Sequence, residues 1–231
     1  MRYTLVSFAA VLAGVATGCY PTLPPHLGEG TEVLGPGHVN LAVAGGAGSF
    51  EGKDATGAYV NQFAAGIEAR VRTGVGANSE VGAAFIGGMG TGIGGGDPPF
   101  ALGGKVSYKW GPLPWLAIVA DAGAMDFAVA SVALFSGDLA IITAPYTWAN
   151  GMQFYAGAKG AFSVPVLQNA TNVNEAIIIP IGLKIPTSEK VRFFVEAGPI
   201  AGFAQQSSSG GSSSTNSFGG YGTVSLTFLL R

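Results

Sequence analysis

The chain has 231 residues, enough for one domain of ordinary size. Only 10% of them are charged and the formal net charge is −2, which excludes an electrostatic nucleic-acid binder and leaves too few charges to cover a soluble surface. A single cysteine excludes an intrachain disulfide, and beyond the first 18 residues no apolar run approaches the roughly 20 residues that a membrane helix needs.

Met1-Arg2 makes a short positive start, Thr4–Val15 is an apolar run interrupted by Ser7, and Ala16-Thr17-Gly18 brings small residues up to Cys19. This is the plan of a secretory signal peptide. The last four positions resemble the lipobox of bacterial lipoproteins, with Ala16 where a Leu is usual. That resemblance implies cleavage after Gly18 and lipidation of Cys19. Prolines and glycines follow from Pro21 to Gly30 and forbid regular structure. The expected organisation is a signal peptide over 1–18, a tether over 19–36 and a folded domain over 37–231.

The domain reads as ten segments of period two, at 37–45, 59–73, 78–87, 100–110, 115–126, 138–148, 151–163, 176–186, 190–203 and 218–230. In the fourth, Leu102, Gly104, Val106, Tyr108 and Trp110 oppose Ala101, Gly103, Lys105, Ser107 and Lys109. In the eighth, Ile177, Ile179, Ile181, Leu183 and Ile185 oppose Pro180, Gly182 and Lys184. The ninth and tenth alternate equally clearly, with Val191, Phe193 and Val195 opposing Arg192 and Glu196, and Val224, Leu226 and Phe228 opposing Ser225 and Thr227. The sixth is ambiguous, because Leu139 and Ile141 spoil its polar face. The polar faces are also small in side-chain volume, as a narrow barrel lumen requires.

The connections alternate in length. Short ones fall at Gly74–Ala77, Gly111–Pro114, Ala149-Asn150 and Thr187–Glu189, and long ones cover roughly 46–58, 88–99, 127–137, 164–175 and 204–217. Outer-membrane barrels have short periplasmic turns, longer external loops and an even strand count. The predicted fold is therefore all-β: a single antiparallel, up-and-down transmembrane barrel of about ten strands, with both termini in the periplasm. Tyr108, Trp110, Trp115, Tyr146 and Trp148 flank predicted periplasmic turns, as an aromatic belt does. In this plan, residues 37–231 resemble the small opacity-type and omptin-type barrels of the Gram-negative outer membrane. The resemblance implies outer-membrane lipids and the barrel-assembly machinery as partners. That machinery commonly reads a terminal Phe, whereas here Phe228 stands three residues before the end.

On these strand phases the lumen collects Glu68, Arg70, Arg72, Glu80, Lys105, Lys109, Asp121, Lys159, Lys184, Arg192 and Glu196. A charge facing lipid at the midplane costs roughly 2–4 kcal/mol, which explains why strand charges point inward. Two readings follow: a net basic pore that favours anions, or a plug in which the acids pair with the bases. No cofactor or metal cluster is expected, and no catalytic set is visible. His26 falls in the tether and His38 at the periplasmic start of the first strand, while the acids Asp97, Asp126, Asp138 and Glu175 are read as loop residues without a base nearby. The glycine run at 87–96 is followed by Asp97-Pro98-Pro99, not by a helix, and reads as an external loop. The expected function is a structural, adhesive or narrow-channel barrel of the outer membrane, not an enzyme, with any external ligand held by the loops. The alternative is a periplasm-facing lipoprotein whose closed soluble barrel binds an apolar ligand. The two predict opposite insides: the first puts Ile179, Val195 and Leu226 outside and Lys105 and Arg192 inside, and the second reverses them.

Overall fold

The computed structural model describes residues 30–53, 59–90, 100–127, 132–165, 171–208 and 211–230. The signal peptide, Cys19, the tether residues before Gly30, His26 and Asp97 lie outside these. Every regular element among the described residues is a strand: β1 (Val39–Lys53), β2 (Tyr59–Gly76), β3 (Ser79–Gly90), β4 (Phe100–Leu113), β5 (Leu116–Phe127), β6 (Val132–Thr147), β7 (Gln153–Pro165), β8 (Thr171–Ile178), β9 (Ile181–Pro186), β10 (Val191–Ser208) and β11 (Gly211–Leu230). All pairings between them are antiparallel, and β11 returns to pair with β1, so no edge is left open. Both β8 and β9 lie between β7 and β10, which makes them two halves of one stave. The fold is an all-β, closed, up-and-down barrel of ten staves.

Pro180 divides that stave because it has no N–H to give to the ladder. The neighbouring backbone still pairs: Gly157 donates to the Pro180 carbonyl at 2.9 Å and Ile179 donates to the Pro199 carbonyl at 3.2 Å. Side-chain alternation therefore runs through the break undisturbed. Ile177, Ile179 and Ile181 face out, and Ile178, Pro180, Gly182 and Lys184 are buried.

The ladder register sets the barrel's width. Stepping from partner to partner, the path leaves β1 at Asn40 and passes Arg72, Gly82, Ser107, Asp121, Asp138, Ala161, Ala176, Gly202 and Ser217 before it regains β1 at Gly52. The stagger from Asn40 to Gly52 over ten staves corresponds to a strand tilt of about 40° and a backbone radius of about 10 Å. Such a radius leaves a lumen that inward side chains can fill.

The turns at 77–78, 114–115, 148–152 and 187–190 all lie at the rim where β1 starts and β11 ends, called here the lower rim. At the upper rim the strands run further than their sequence pattern shows. β6 starts at Val132, and β10 and β11 stay paired up to Ser208 and Gly211, so most of the expected loop over 204–217 is hairpin. There the alternation fades, while the backbone groups still need partners and keep the hairpins paired. The longer β6 also settles its phase. Leu139 and Ile141 are exposed on the outer face, while Ala140, Ile142 and Ala144 are buried inside, so the sixth strand is as regular as the others.

Two aromatic rings mark the outer surface. Tyr108, Trp110, Trp115, Tyr146 and Trp148 are exposed near the lower rim, as the sequence predicts. Near the upper rim stands a ring that the sequence did not reveal, of exposed Phe63, Phe100, Phe135, Phe162, Phe203 and Phe218. Leu41, Val43, Ile67, Val106, Ile179, Val195 and Leu226 are exposed on the surface between them.

Candidate functional site

The candidate site is the lumen. Its lower half is charged, and toward the upper rim it closes with Phe50, Ala64, Ile178, Ile200 and Tyr221 in one apolar cluster. Small inward residues make the charged half possible. Gly82 and Ala84 are the inward residues of β3 between Arg72 and Arg70 on β2 and Ser107 and Lys105 on β4. Side chains of β2 and β4 therefore meet across β3. Lys105 Nζ lies 2.9 Å from Glu68 Oε2 and 3.2 Å from Asp121 Oδ2, which joins three staves through one ammonium. Arg70 Nε is 3.4 Å from Glu68 Oε1. Arg72 spans more loosely, with Nη1 3.9 Å from Glu80 and Nη2 4.0 Å from Asp121.

The same device operates on the other side. Gly182 of β9 lies between Tyr155 of β7 and Glu196 of β10. A Cβ at position 182 would overlap the Tyr155 ring, so only glycine lets the ring cross to Glu196. Tyr155 donates its hydroxyl to Glu196 Oε2 at 3.1 Å, and Tyr221 donates to Glu196 Oε1 at 2.9 Å. Glu196 is thus a buried carboxylate held by two phenols, and Tyr155 also packs edge-on against Phe194 at 6.4 Å between centroids. We expect Gly182→Ala to force Tyr155 off Glu196 and to destabilise the barrel by about 1–3 kcal/mol through overpacking. Thermal unfolding followed on gels checks this, and an unchanged midpoint contradicts the placement of Tyr155.

Of the residues that the sequence places in the lumen, Glu68, Arg70, Arg72, Glu80, Lys109, Asp121, Lys159, Lys184 and Glu196 are buried there, and Lys105 is nearly so. Arg192 departs. It sits at the lower rim, half-buried, and donates to the carbonyls of Ser188 and Glu189 at 2.8 and 3.2 Å, so it ties the β9–β10 turn. Two acids join the group instead. Asp138, expected in a loop, lies inside β6 and meets Lys159 Nζ at 2.9 Å. Glu32, expected in the tether, meets Lys184 Nζ at 2.5 Å. With these changes the lumen is not net basic: Glu32, Glu68, Glu80, Asp121, Asp138 and Glu196 match Arg70, Arg72, Lys105, Lys109, Lys159 and Lys184 one for one. The other acids read as loop residues, Asp126 and Glu175, lie exposed on the outer faces of β5 and β8. His38 is exposed at the lower rim, with its ring beside the Gly35 carbonyl.

Residues 30–36 are therefore not a free tether. They cross the lower mouth of the barrel. Lys109 Nζ donates to the carbonyls of Gly30 at 2.9 Å and Glu32 at 2.5 Å, and Leu34 donates its N–H to Glu80. The Thr31 hydroxyl donates to the Pro114 carbonyl at 2.6 Å, and Gln153 Nε2 donates to that hydroxyl at 3.3 Å. Gly74 makes the crossing possible, because a Cβ there would strike the backbone of Leu34 and Gly35.

No protein-family model and no curated protein matches this sequence. Among solved structures, the chain is similar to the outer membrane protease OmpT from Escherichia coli, with 11% identity, a TM-score of 0.38 and coverage of 87% of this chain and 100% of that one. It is similar to the translocator domain of the autotransporter NalP from Neisseria meningitidis, with 11% identity, a TM-score of 0.43 and coverage of 98% and 95%. A third is the β domain of the Bordetella autotransporter BrkA, with 10% identity, a TM-score of 0.44 and coverage of 81% and 98%. The fold assignment itself rests on the closed ladder of this chain.

Proposed function

We propose that this protein is a structural or surface-presenting barrel of the bacterial outer membrane, closed by its own ion pairs and without catalytic activity. The observation that carries this reading is the outer surface. The two aromatic rings stand about ten residues apart along tilted strands, or roughly 25 Å, the height of the apolar band of outer-membrane barrels. Between the rings the described outward side chains are apolar or small, and the outward acids Asp126 and Glu175 stand beside the upper ring. A soluble barrel around an apolar ligand needs the reverse, and exposed Ile179, Val195 and Leu226 with Lys105 in the lumen contradict that alternative. The lower rim then faces the periplasm. From a lipidated Cys19 to Gly30 the chain reaches about 35 Å when extended, enough to place the lipid in the inner leaflet. Barrel-assembly machinery and membrane lipids are the partners of this reading, and any external ligand meets the upper hairpins.

A closed lumen favours the plug over a narrow channel. Glu68 and Asp121 engage Lys105, Asp138 engages Lys159, and Glu196 is held by two tyrosines, which suits mutual neutralisation better than acid–base work. Among the described residues, no group of three or more His, Cys, Asp or Glu side chains is placed to hold a metal ion. We expect the purified protein to insert into planar bilayers without discrete single-channel openings. Regular openings at moderate voltage overturn the plug.

A further inference from the structure

The segment that crosses the lower mouth is built to leave. Its backbone makes little ladder: Gly37 donates to Gly74, Gly74 donates to the His38 carbonyl, and Pro36 forms a lone bridge with Gly74. The rest of its hold comes from side-chain contacts to several staves and one turn. The contact with Lys184 is asymmetric. The Lys184 side chain is 2% exposed, while the Glu32 side chain that neutralises it is 60% exposed. A buried ammonium requires a counter-charge, but a carboxylate so open to water is held weakly and exchanges readily. Among the described residues, the strand-borne lumen charges include one more base than acid, and Glu32 makes up the difference.

We propose that residues 30–36 are a releasable latch on the lower mouth, locked by the Glu32 carboxylate on Lys184 and by the Gly30 and Glu32 carbonyls on Lys109. The proposal rests on the reading of the barrel as one that spans the membrane with its lower mouth toward the periplasm, and holds whether or not the lumen above the mouth is plugged. When the latch leaves, Lys184 loses its carboxylate and Lys109 loses two carbonyls. The uncovered Lys184 then favours a carboxylate carried by another molecule. Release thus turns a neutral mouth into an anion-receiving one.

Thr31 reports the latch directly, because it is 1% exposed in the closed form. The test uses the full chain in detergent with Thr31→Cys, a residue of similar size, and a polar maleimide, with label at position 31 read by peptide mass. In the otherwise native chain the label is expected to enter slowly. With Glu32→Lys, labelling is expected to rise about tenfold, as for a locally opened segment, and Glu32→Asp is expected to keep the protection. Lys184→Met tests the same lock from the barrel side and should also release position 31. Retention of the heat-modifiable folded band shows that each variant keeps its barrel. Protection that persists in folded Glu32→Lys and Lys184→Met chains overturns the latch, as does full labelling of the native chain. Bilayer conductance is a separate readout: openings in the native chain with position 31 still protected refute the plug and leave the latch standing.

Discussion

Ile179→Arg is expected to stop the barrel from assembling in the membrane, whereas Lys184→Ala assembles. Ile179 lies midway between the two aromatic rings on the outer face and is 47% exposed. An arginine there points into hydrocarbon at the midplane, at a cost of roughly 2–4 kcal/mol. The chain has little with which to offset that cost, since its lipid face is largely alanine, glycine and valine over the middle of the belt. Lys184→Ala removes an inward ammonium whose partner Glu32 is then free to hydrate. The comparison is read as the amount of heat-modifiable protein in the membrane fraction. Equal yields from the two variants refute the facing of the whole stave, because Ile179 and Lys184 lie on opposite faces of it.

The second large effect belongs to Lys105. Its ammonium stands between Glu68 and Asp121, so Lys105→Met leaves two carboxylates facing each other in the lumen with their shared partner gone. Removing one member of a buried ionic group costs roughly 3–5 kcal/mol, mainly through the charges left behind. A drop of that size in stability is expected on urea titration of the folded barrel in lipid vesicles. The double variant Lys105→Met, Glu68→Gln removes one of the two facing carboxylates and is expected to recover part of the loss. No recovery means that Glu68 does not act through Lys105. This prediction differs in kind from the latch lock, where the stranded carboxylate of Glu32 lies in water.

Both predictions depend on facing, and facing was legible from the residues. A one-residue slip in phase moves a whole stave's apolar set from lipid to lumen, so the alternation around Lys105 or Ile179 admits a single arrangement. The four short connections were legible too, although β2 and β4 run on to Gly76 and Leu113, so two of the turns fall later than the pattern shows. The misreadings have physical causes. Asp138 reads as a loop acid because β6 extends six residues above it, beyond the start of the strand that the sequence pattern shows. Arg192 reads as a lumen charge because it is in phase, but its long side chain turns back to the carbonyls at the rim. The upper ring of phenylalanines is spread over six strands, and no window of sequence brings it together. Glu32 was hidden in a different way. A stretch rich in proline and glycine has no period, so it says where the chain is irregular and nothing about where it lies.

The sequence by itself determined the class, the strand phases and most of the inward charges, because each follows from local alternation against a two-sided environment. The tertiary structure alone decided which charges are partners. Lys105 reaches Glu68, and Tyr155 reaches Glu196, only because a stagger of twelve residues over ten staves brings them level across a glycine or alanine on the strand between, while Asp121 meets Lys105 from the adjoining strand. It also decided the sign of the lumen. The balance between a basic pore and a neutral plug rested on Asp138, Glu32 and Arg192, three charges whose positions only the closed barrel makes plain.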